Sequence, residues 1–497
     1  MGVMGMDWKR FKSGSDIRGV ALENDRGEPV DLTPAAVEQM ARAFACWLSD
    51  KTGRPADTLT VALGRDSRLS GPRLAEDVIR GLTACGVSVK NCGMASTPAM
   101  FMTTVDLGVD GAVQITASHH PYHRNGLKFF LPSGGLEGSD IAALLTLCEG
   151  DLPTASTVGA VEQVDYMSTY CARLRDLIKQ EVNAADYEHP LAGYRIAVDA
   201  GNGAGGFYAT DVLAPLGADV SGSRYLEPDG RFPHHIPNPE NAAAMASICE
   251  ATLAANAHLG VIFDTDVDRA GCVGADGKEI NRNRLVALAA TIALEGHEDA
   301  WVVTDSITSD GLKTFIEQTL GGHHRRFKRG YRNVINEAQR LCAEGKDAPL
   351  AIETSGHAAL QDNYFLDDGA YLMTRIIIKL AQGFPPEALI ASLSEPAEAQ
   401  EMRYAITEPQ FRAYGLRVLD ELEAYAAAQG WAVADDSCEG VRIAFPPQEG
   451  VGWALLRRSV HDPVMPLNVE SNREGGCAVI MQQLLPFIEK QTALKRG

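Results

Sequence analysis

The stretch Asp110-Gly111-Ala112-Val113-Gln114-Ile115-Thr116-Ala117-Ser118-His119-His120-Pro121 decides how this chain of 497 residues is read. Its first half is an apolar run and reads as a buried strand. Its second half is a polar turn with a proline near its end, so the strand delivers Ser118 into a loop. Asn125-Gly126-Leu127-Lys128 and a second apolar patch, Phe129-Phe130-Leu131, follow at once. A hydroxyl at a strand end, near two imidazoles and a lysine, is a candidate nucleophile. On their own these residues read better as a capped turn with solvated histidines. The rest of the chain changes that balance.

Upstream, Leu59-Thr60-Val61-Ala62-Leu63 is a strand that ends in Gly64-Arg65-Asp66-Ser67-Arg68-Leu69-Ser70-Gly71 and opens a helix. Another helix is expected from about Thr33 to Leu48, with Thr33 as its cap and Pro34 in its first turn. Phe11-Lys12-Ser13-Gly14-Ser15-Asp16-Ile17-Arg18-Gly19 reads as a flexible loop able to present Arg18 to an anion. Strand and helix alternate, which predicts an α/β layer architecture. Residues 151–160 read as a linker, and a helix from about Val164 to Glu181 bridges to the next domain. There Ile196-Ala197-Val198-Asp199 runs into Gly201, Gly203 and Gly206, a G-x-G-x-x-G pattern without a convincing acidic partner downstream. We read those glycines as a tight strand-to-helix connection, not a cofactor site. Val61 to Gly71, Ile196 to Gly206 and Val302 to Gly311 share one layout: an apolar run, a turn bearing Asp and Gly, then a helix. That is a repeat of domain size. The expected domains are 1–160, 161–298, 299–396 and 397–497, the last α+β.

Composition excludes several classes. The net charge of −20 argues against a nucleic-acid surface. An anionic ligand then needs local cations or a metal. No apolar run is long enough to span a bilayer, so no membrane association is expected. Met1-Gly2-Val3-Met4-Gly5-Met6 has neither the Ser/Thr of a myristoylation signal nor the layout of a signal peptide. The ten cysteines are scattered without a Cys-x-x-Cys pair, which fits a reduced, cytoplasmic setting.

Three further constellations carry chemistry. Asp264-Thr265-Asp266-Val267-Asp268 follows an apolar run. On an extended chain alternate residues face one way, so the three carboxylates are expected to converge. A hard divalent cation, Mg²⁺, would relieve their repulsion. An EF-hand is excluded because Ala275 stands where its twelfth-position glutamate belongs. Leu350-Ala351-Ile352-Glu353-Thr354-Ser355-Gly356-His357 ends a strand with groups suited to sugar hydroxyls, and with an imidazole able to move a proton. Arg457-Arg458-Ser459-Val460-His461-Asp462-Pro463 reads as a phosphate clamp, although a plain surface basic pair has the same composition.

Taken together, these motifs resemble those of the α-D-phosphohexomutase superfamily, in this order along the chain. Thr116 to Pro121 is similar to its phosphoserine loop, usually T-A-S-H-N-P. Asp264 to Arg269 resembles its metal loop, D-G-D-x-D-R. Glu353 to His357 resembles its sugar loop, E-x-S-G-H, and Arg457 to Pro463 its phosphate loop, R-x-S-x-T-x-P. Asp16-Ile17-Arg18-Gly19 and Gly126-Leu127-Lys128 also match. The resemblance implies four domains around a central cleft: three related α/β domains with mixed sheets and a C-terminal α+β domain, acting as a monomer or homodimer. It implies Mg²⁺ held by Ser118, Asp264, Asp266 and Asp268, and a hexose 1,6-bisphosphate primer. Ser118, Lys128, His357 and Arg18 are the implied catalytic residues. Arg269, Glu353, Ser355, Arg457, Ser459 and His461 are the implied contacts to a hexose phosphate substrate, either glucose or mannose. His120, Thr265 and His461 depart from the usual Asn, Gly and Thr. Lys328-Arg329-Gly330-Tyr331-Arg332 weakly matches a loop that distinguishes sugar orientation.

Three rival readings remain. Phosphoglucosamine mutases share part of the sugar-loop pattern. Val261 to Asp266 also resembles the nucleophile strand of haloacid-dehalogenase-type phosphatases, with Asp264 attacked and Asp367-Asp368 as a downstream acidic pair. That strand normally opens a domain, whereas here 260 residues precede Val261. A silent sugar-phosphate binder is the third reading, and intact Ser118 with all three aspartates argues against it.

Overall fold

The structure, a computed structural model, describes residues 6–459 and 462–496. His461, expected at the phosphate, lies outside the described residues. The chain forms two compact units: residues up to Asn281 with Ser355–Leu389, and Arg282–Thr354 with the residues from Ile390 onward.

In the first unit Gly111–Ile115 is a strand buried at every position. It lies inside a mixed sheet, parallel to Thr60–Arg65 on one side and antiparallel to Arg124–Leu131 on the other. The register sets Lys128 opposite Gln114, one strand away from the chain that becomes the serine loop. The helices Pro34–Thr52 and Gly71–Ala84 cover this sheet. Val37, Met40, Phe44 and Leu48 from one helix and Leu74, Val78 and Leu82 from the other join Val61, Val113 and Leu127 in one core. That three-and-four spacing is what an amphipathic helix needs. Thr33 caps the first helix as expected, its Oγ1 accepting from Ala36 N at 3.3 Å.

Two expectations change. The N-terminal stretch is not a flexible loop. A short turn of helix, Trp8–Phe11, leads into a hairpin of Lys12–Ser13 and Asp16–Val20. Trp8, Phe11 and Ile17 are buried, and this apolar anchoring draws the segment into the sheet. Arg18 therefore sits mid-strand opposite Gly126. A Cβ on Gly126 would lie 2.3 Å from Ile17 O, so only glycine lets the strands approach. Second, residues 151–160 form no helix or strand, as a connector would, but they are fastened down. Ala155 N donates to Ala84 O and Gly159 N to Thr83 O, and Val161–Gln163 then pairs with Ser88–Met94.

The second sheet of this unit runs Glu279–Ile280, Ala270–Gly274, Leu259–Phe263, Ile196–Asp199. Its first three strands pair antiparallel, and Leu259–Phe263 pairs parallel with Ile196–Asp199. Gly203 and Gly206 prove to be packing positions. A Cβ on Gly203 would meet Thr265 O at 2.7 Å and one on Gly206 would meet Leu226 O at 2.2 Å. The helix Tyr166–Val182 is tied to the segment before Gly369–Ala381 by Tyr170, whose hydroxyl lies 2.7 and 2.8 Å from the two Asp368 oxygens.

In the second unit three parallel strands, His323–Phe327, Trp301–Asp305 and Leu350–Ile352, pair side by side. Six antiparallel strands, ordered Ala432–Val433, Gly440–Phe445, Gly452–Arg457, Val464–Ser471, Glu398–Ile406, Leu494–Arg496, make the C-terminal sheet. The helices Phe411–Gln429 and Gly476–Lys490 share one core with it, as the α+β reading expects. No helix among the described residues is long and apolar enough to cross a membrane.

The domain-sized repeat is visible at three strand ends. Thr60–Arg65, Ile196–Asp199 and Trp301–Asp305 each finish at or beside a fully buried aspartate: Asp66, Asp199 and Asp305. Burying a carboxylate requires donors nearby, and each strand end supplies a different set. Removing the Tyr170 hydroxyl takes a donor from the buried Asp368. Tyr170→Phe is expected to lower stability by about 1–3 kcal/mol in denaturant unfolding, whereas an unchanged midpoint would mean the tie is replaceable.

Candidate active site

Ser118 is 1 % exposed and has φ +50°, a left-handed turn that points its hydroxyl back over the strand end. Its N–H donates to Thr116 Oγ1 at 2.9 Å. The loop is held from below by Arg68, which is fully buried. One guanidinium nitrogen donates to Ser118 O at 2.5 Å and His120 O at 2.6 Å; another donates to Pro121 O at 2.8 Å and Arg124 O at 2.9 Å. Asp66 orients that guanidinium, with 3.3 Å between Arg68 Nε and Asp66 Oδ2, and its Oδ1 accepts from Arg68 N at 2.9 Å. Burial lifts the Asp66 carboxyl to about 6 against the pull of Arg68.

Ser118 Oγ donates to Asp264 Oδ2 at 2.9 Å. Asp264, Asp266 and Asp268 do converge, but not on an extended strand. The strand ends at Phe263, and the next residues turn with Val267 at φ +70°. A buried β-branched residue in that region is strained. Its carbonyl is fixed by Gly369 N at 3.1 Å, and a Cβ on Gly369 would come within 2.9 Å of it. From the second strand's side Ala204 N donates to Thr265 O at 2.8 Å. One oxygen from each of the three aspartates lies within 4.8 Å of the others. Asp266 Oδ1 and Asp268 Oδ1 are buried and have no hydrogen-bond partner among the described residues. Orphaned carboxylate oxygens clustered this way fit a hard divalent cation.

Positive charge already gathers there. Lys128 Nζ lies 3.1 Å from Asp266 Oδ2 and also bonds Asp268 Oδ2. Thr97 donates its hydroxyl to Asp266 Oδ2 at 2.5 Å and its N–H to Asp266 O at 2.8 Å. Burial, then the neighbouring Asp268 and Asp266, push the Asp264 carboxyl well above the usual carboxylate range. Burial also opposes ionisation of Asp268, yet the Lys128 ammonium outweighs it and holds that carboxyl low. Arg269 Nε donates to His357 Nε2 at 2.8 Å, and His357 Nδ1 meets Asp367 Oδ2 at 2.5 Å. Nε2 is therefore the acceptor nitrogen and Nδ1 carries the proton. His119 Nδ1 lies 3.2 Å from Ser118 Oγ. Burial, helped by Arg269, holds His119 at about 2, and burial with Arg18 holds His120 at about 3, so both rings are neutral. Arg18 pairs with Asp16 at 3.0 Å, and its Nε is buried without a hydrogen bond. Ser355 Oγ is likewise buried and unpartnered.

The second unit holds the other predicted residues. Glu353 Oε1 accepts from Gly330 N at 2.7 Å. Arg457 is 6 % exposed, and its buried Nε lies 3.5 Å from Glu439 Oε1. Ser459 shapes its turn: its N–H donates to Val464 O at 2.8 Å and its Oγ accepts from Asp462 N at 3.3 Å.

Models described as phosphoglucomutase/phosphomannomutase alpha/beta/alpha domains I, II and III match residues 9–146, 169–277 and 281–396. A phosphoglucomutase of Neisseria gonorrhoeae is 31% identical over 481 residues, 96% of this chain and 96% of that protein. A phosphomannomutase/phosphoglucomutase of Pseudomonas aeruginosa is 31% identical over 465 residues, 92% and 91% of the two chains. The chain belongs to the phosphoglucomutase/phosphomannomutase family of the α-D-phosphohexomutase superfamily. Among solved structures, a phosphoglucomutase/phosphomannomutase family protein from Burkholderia thailandensis superimposes with TM-score 0.81 at 28% identity, covering 98% of each chain.

Within this phosphoglucomutase/phosphomannomutase fold, four residues of the site escaped the motif reading: Arg68, Asp66, Thr97 and Asp367. Asp66 and Arg68 lie in the turn that was quoted as a helix opening, and nothing local distinguishes them from turn residues. Asp367 had been weighed only as a phosphatase acid; in the structure it serves His357, and Asp368 serves Tyr170. Lysine at position 68 would keep the charge but lose the planar fork on four carbonyls. Arg68→Lys is expected to lower kcat by about 10²-fold through misplacement of Ser118, measured with hexose 1-phosphate at saturation. A variant with wild-type kcat would show that the loop holds itself.

Proposed function

We propose that this phosphohexomutase interconverts hexose 1-phosphate and hexose 6-phosphate, with glucose and mannose as the sugars, through a phosphoserine at Ser118. The observation that carries the reading is Ser118 Oγ placed 2.9 Å from Asp264 in a buried triad of carboxylates. The P–O bond to Ser118 breaks as a sugar hydroxyl bonds the same phosphorus and gives up its proton. The resulting hexose 1,6-bisphosphate returns its other phosphoryl group to Ser118, and the same bisphosphate primes the unphosphorylated enzyme.

Ser118, Asp264, Asp266 and Asp268 would hold Mg²⁺, which when bound neutralises charge on the transferring phosphoryl group. The chain's own residues do the remaining work, since phosphoryl transfer needs mostly alignment and charge stabilisation. Arg18 has a free buried Nε for an anion. Lys128 and His357 are the proton carriers: each is a nitrogen acid or base already bonded to a carboxylate of the site. Arg269 fixes the acceptor nitrogen of His357. Glu353 and Ser355 are assigned to sugar hydroxyls, and Arg457, Ser459 and His461 to the phosphate that is not reacting. The unpartnered Ser355 Oγ and the burial of the Arg457 guanidinium support that assignment, because buried polar groups call for a partner.

The phosphatase reading loses its parts. Asp264 Oδ2 is engaged by the Ser118 hydroxyl, and both members of the Asp367-Asp368 pair have other duties. The relatives named for glucose and mannose phosphates favour those sugars over glucosamine. Ten free cysteines support a reducing, cytoplasmic location.

Two measurements test the reading. Incubation with glucose 1,6-bisphosphate labelled in its phosphates is expected to label wild type, while Ser118→Ala takes no label and loses activity by about 10³-fold or more. Full activity in Ser118→Ala would sink the phosphoserine. Chelation is expected to abolish turnover, with Mg²⁺ restoring it in wild type and failing to do so in Asp266→Asn. Metal-independent turnover in Asp266→Asn would remove the triad from the mechanism.

A further inference from the structure

Glu439 is a carboxylate in the C-terminal sheet domain that no motif accounts for. It stands immediately before the strand Gly440–Phe445, and the register sets Gly440 opposite Arg457. A Cβ on Gly440 would lie 2.2 Å from Leu456 O, so glycine lets the two strands close up beside Arg457. Glu439 Oε1 lies 3.5 Å from Arg457 Nε and accepts from Ser306 Oγ; Oε2 accepts from Arg329 N at 2.9 Å. The next N–H, that of Gly330, donates to Glu353 at 2.7 Å. One peptide segment thus joins the carboxylate at Arg457 to the carboxylate assigned to the sugar.

The backbone around Glu439 cannot drift. Three residues earlier, Asp436 takes Arg326 Nη1 at 2.9 Å. Three residues later, the buried Arg442 donates to Ser306 O at 3.0 Å, Thr308 O at 3.1 Å and Asp310 Oδ1 at 2.9 Å. Its guanidinium also stacks 3.6 Å from the Trp453 ring centroid. Arg457 is pressed by burial first and by the like charge of Arg329 second, and Glu439 is the first carboxylate that relieves it. A guanidinium held at one face by a fixed anion keeps a single orientation, with its remaining N–H groups free for a phosphate.

We infer that Glu439 is a positioning residue that orients Arg457 and registers it against the Arg329–Gly330 peptide. The inference rests on the reading of Arg457 as the contact to the non-reacting phosphate. Loss of Glu439 should weaken substrate capture more than the chemical step.

The test is a double-mutant cycle in steady-state kinetics with glucose 1-phosphate. Glu439→Gln is expected to raise KM by about tenfold with kcat within about twofold, a pattern of lost uniform binding. Glu439→Asp keeps the charge one methylene shorter and is expected to fall between the two. In an Arg457→Ala background Glu439→Gln is expected to add nothing, because a residue that acts through another has no effect once that one is gone. Independent, multiplicative effects of the two substitutions would overturn the inference while leaving Arg457 as a phosphate contact. An unchanged KM in Arg457→Ala alone would overturn the phosphate reading and the inference with it. If Glu439→Gln does not fold, Glu439→Asp carries the same cycle.

Discussion

Three carboxylates buried within a few ångströms of one another are the constraint on which the first unit is built. Removing an ion from water costs several kcal/mol after relaxation, and like charges add to that. The chain meets the demand from several directions at once. Lys128 comes from a strand of the first sheet, Thr97 from the start of a helix beside it, and the hydroxyl of Ser118 from the loop after its central strand. The aspartates themselves come from the second sheet. The first two α/β domains therefore meet through this polar cluster. This is also why the aspartate turn tolerates a valine at φ +70°. Gly203 beneath it and Gly369 beside it leave no room for a relaxed alternative.

Much of this was legible in the chain. Strand, turn and helix alternate with enough regularity to give the α/β class, and the four loops stand in a readable order. The elements that misled did so for physical reasons. The segment around Arg18 has the glycine and serine of a loop, but its few apolar residues, Trp8, Phe11 and Ile17, are all buried and make it a strand. The aspartates were expected to converge by strand alternation and converge instead by a turn, because a positive φ at Val267 is invisible in the letters. Arg68 was invisible for another reason. Its carbonyl partners lie 50 to 56 residues away, and local pattern carries no record of a contact that the sheet creates.

The repeated strand end shows how one scaffold was put to three uses. In each copy the last strand residue, or the one after it, is a buried aspartate that needs donors. Asp66 takes Arg68 and so shapes the serine loop. Asp199 takes Ser247 Oγ at 2.7 Å, Gly201 N at 2.9 Å and His235 Nε2 at 3.0 Å. Asp305 takes Thr354 Oγ1 at 2.7 Å and lies 3.5 Å from Arg329 Nε, next to the sugar-loop glutamate. The position is the same and the partner differs from one related domain to the next.

Charge finally explains how a chain of net charge −20 can take a doubly anionic substrate. The two units answer their carboxylates with different cations. Around Ser118 three clustered aspartates are answered by Lys128 and Arg269 and keep orphaned oxygens that fit an added cation. In the other unit two guanidiniums are each paired with a buried carboxylate, Arg329 with Asp305 at 3.5 Å and Arg457 with Glu439 at 3.5 Å. A metal-dependent centre is suited to a phosphate whose charge changes during reaction. A fixed guanidinium centre is suited to one whose charge does not. One chain supplies both kinds of centre, one in each unit, without becoming basic as a whole.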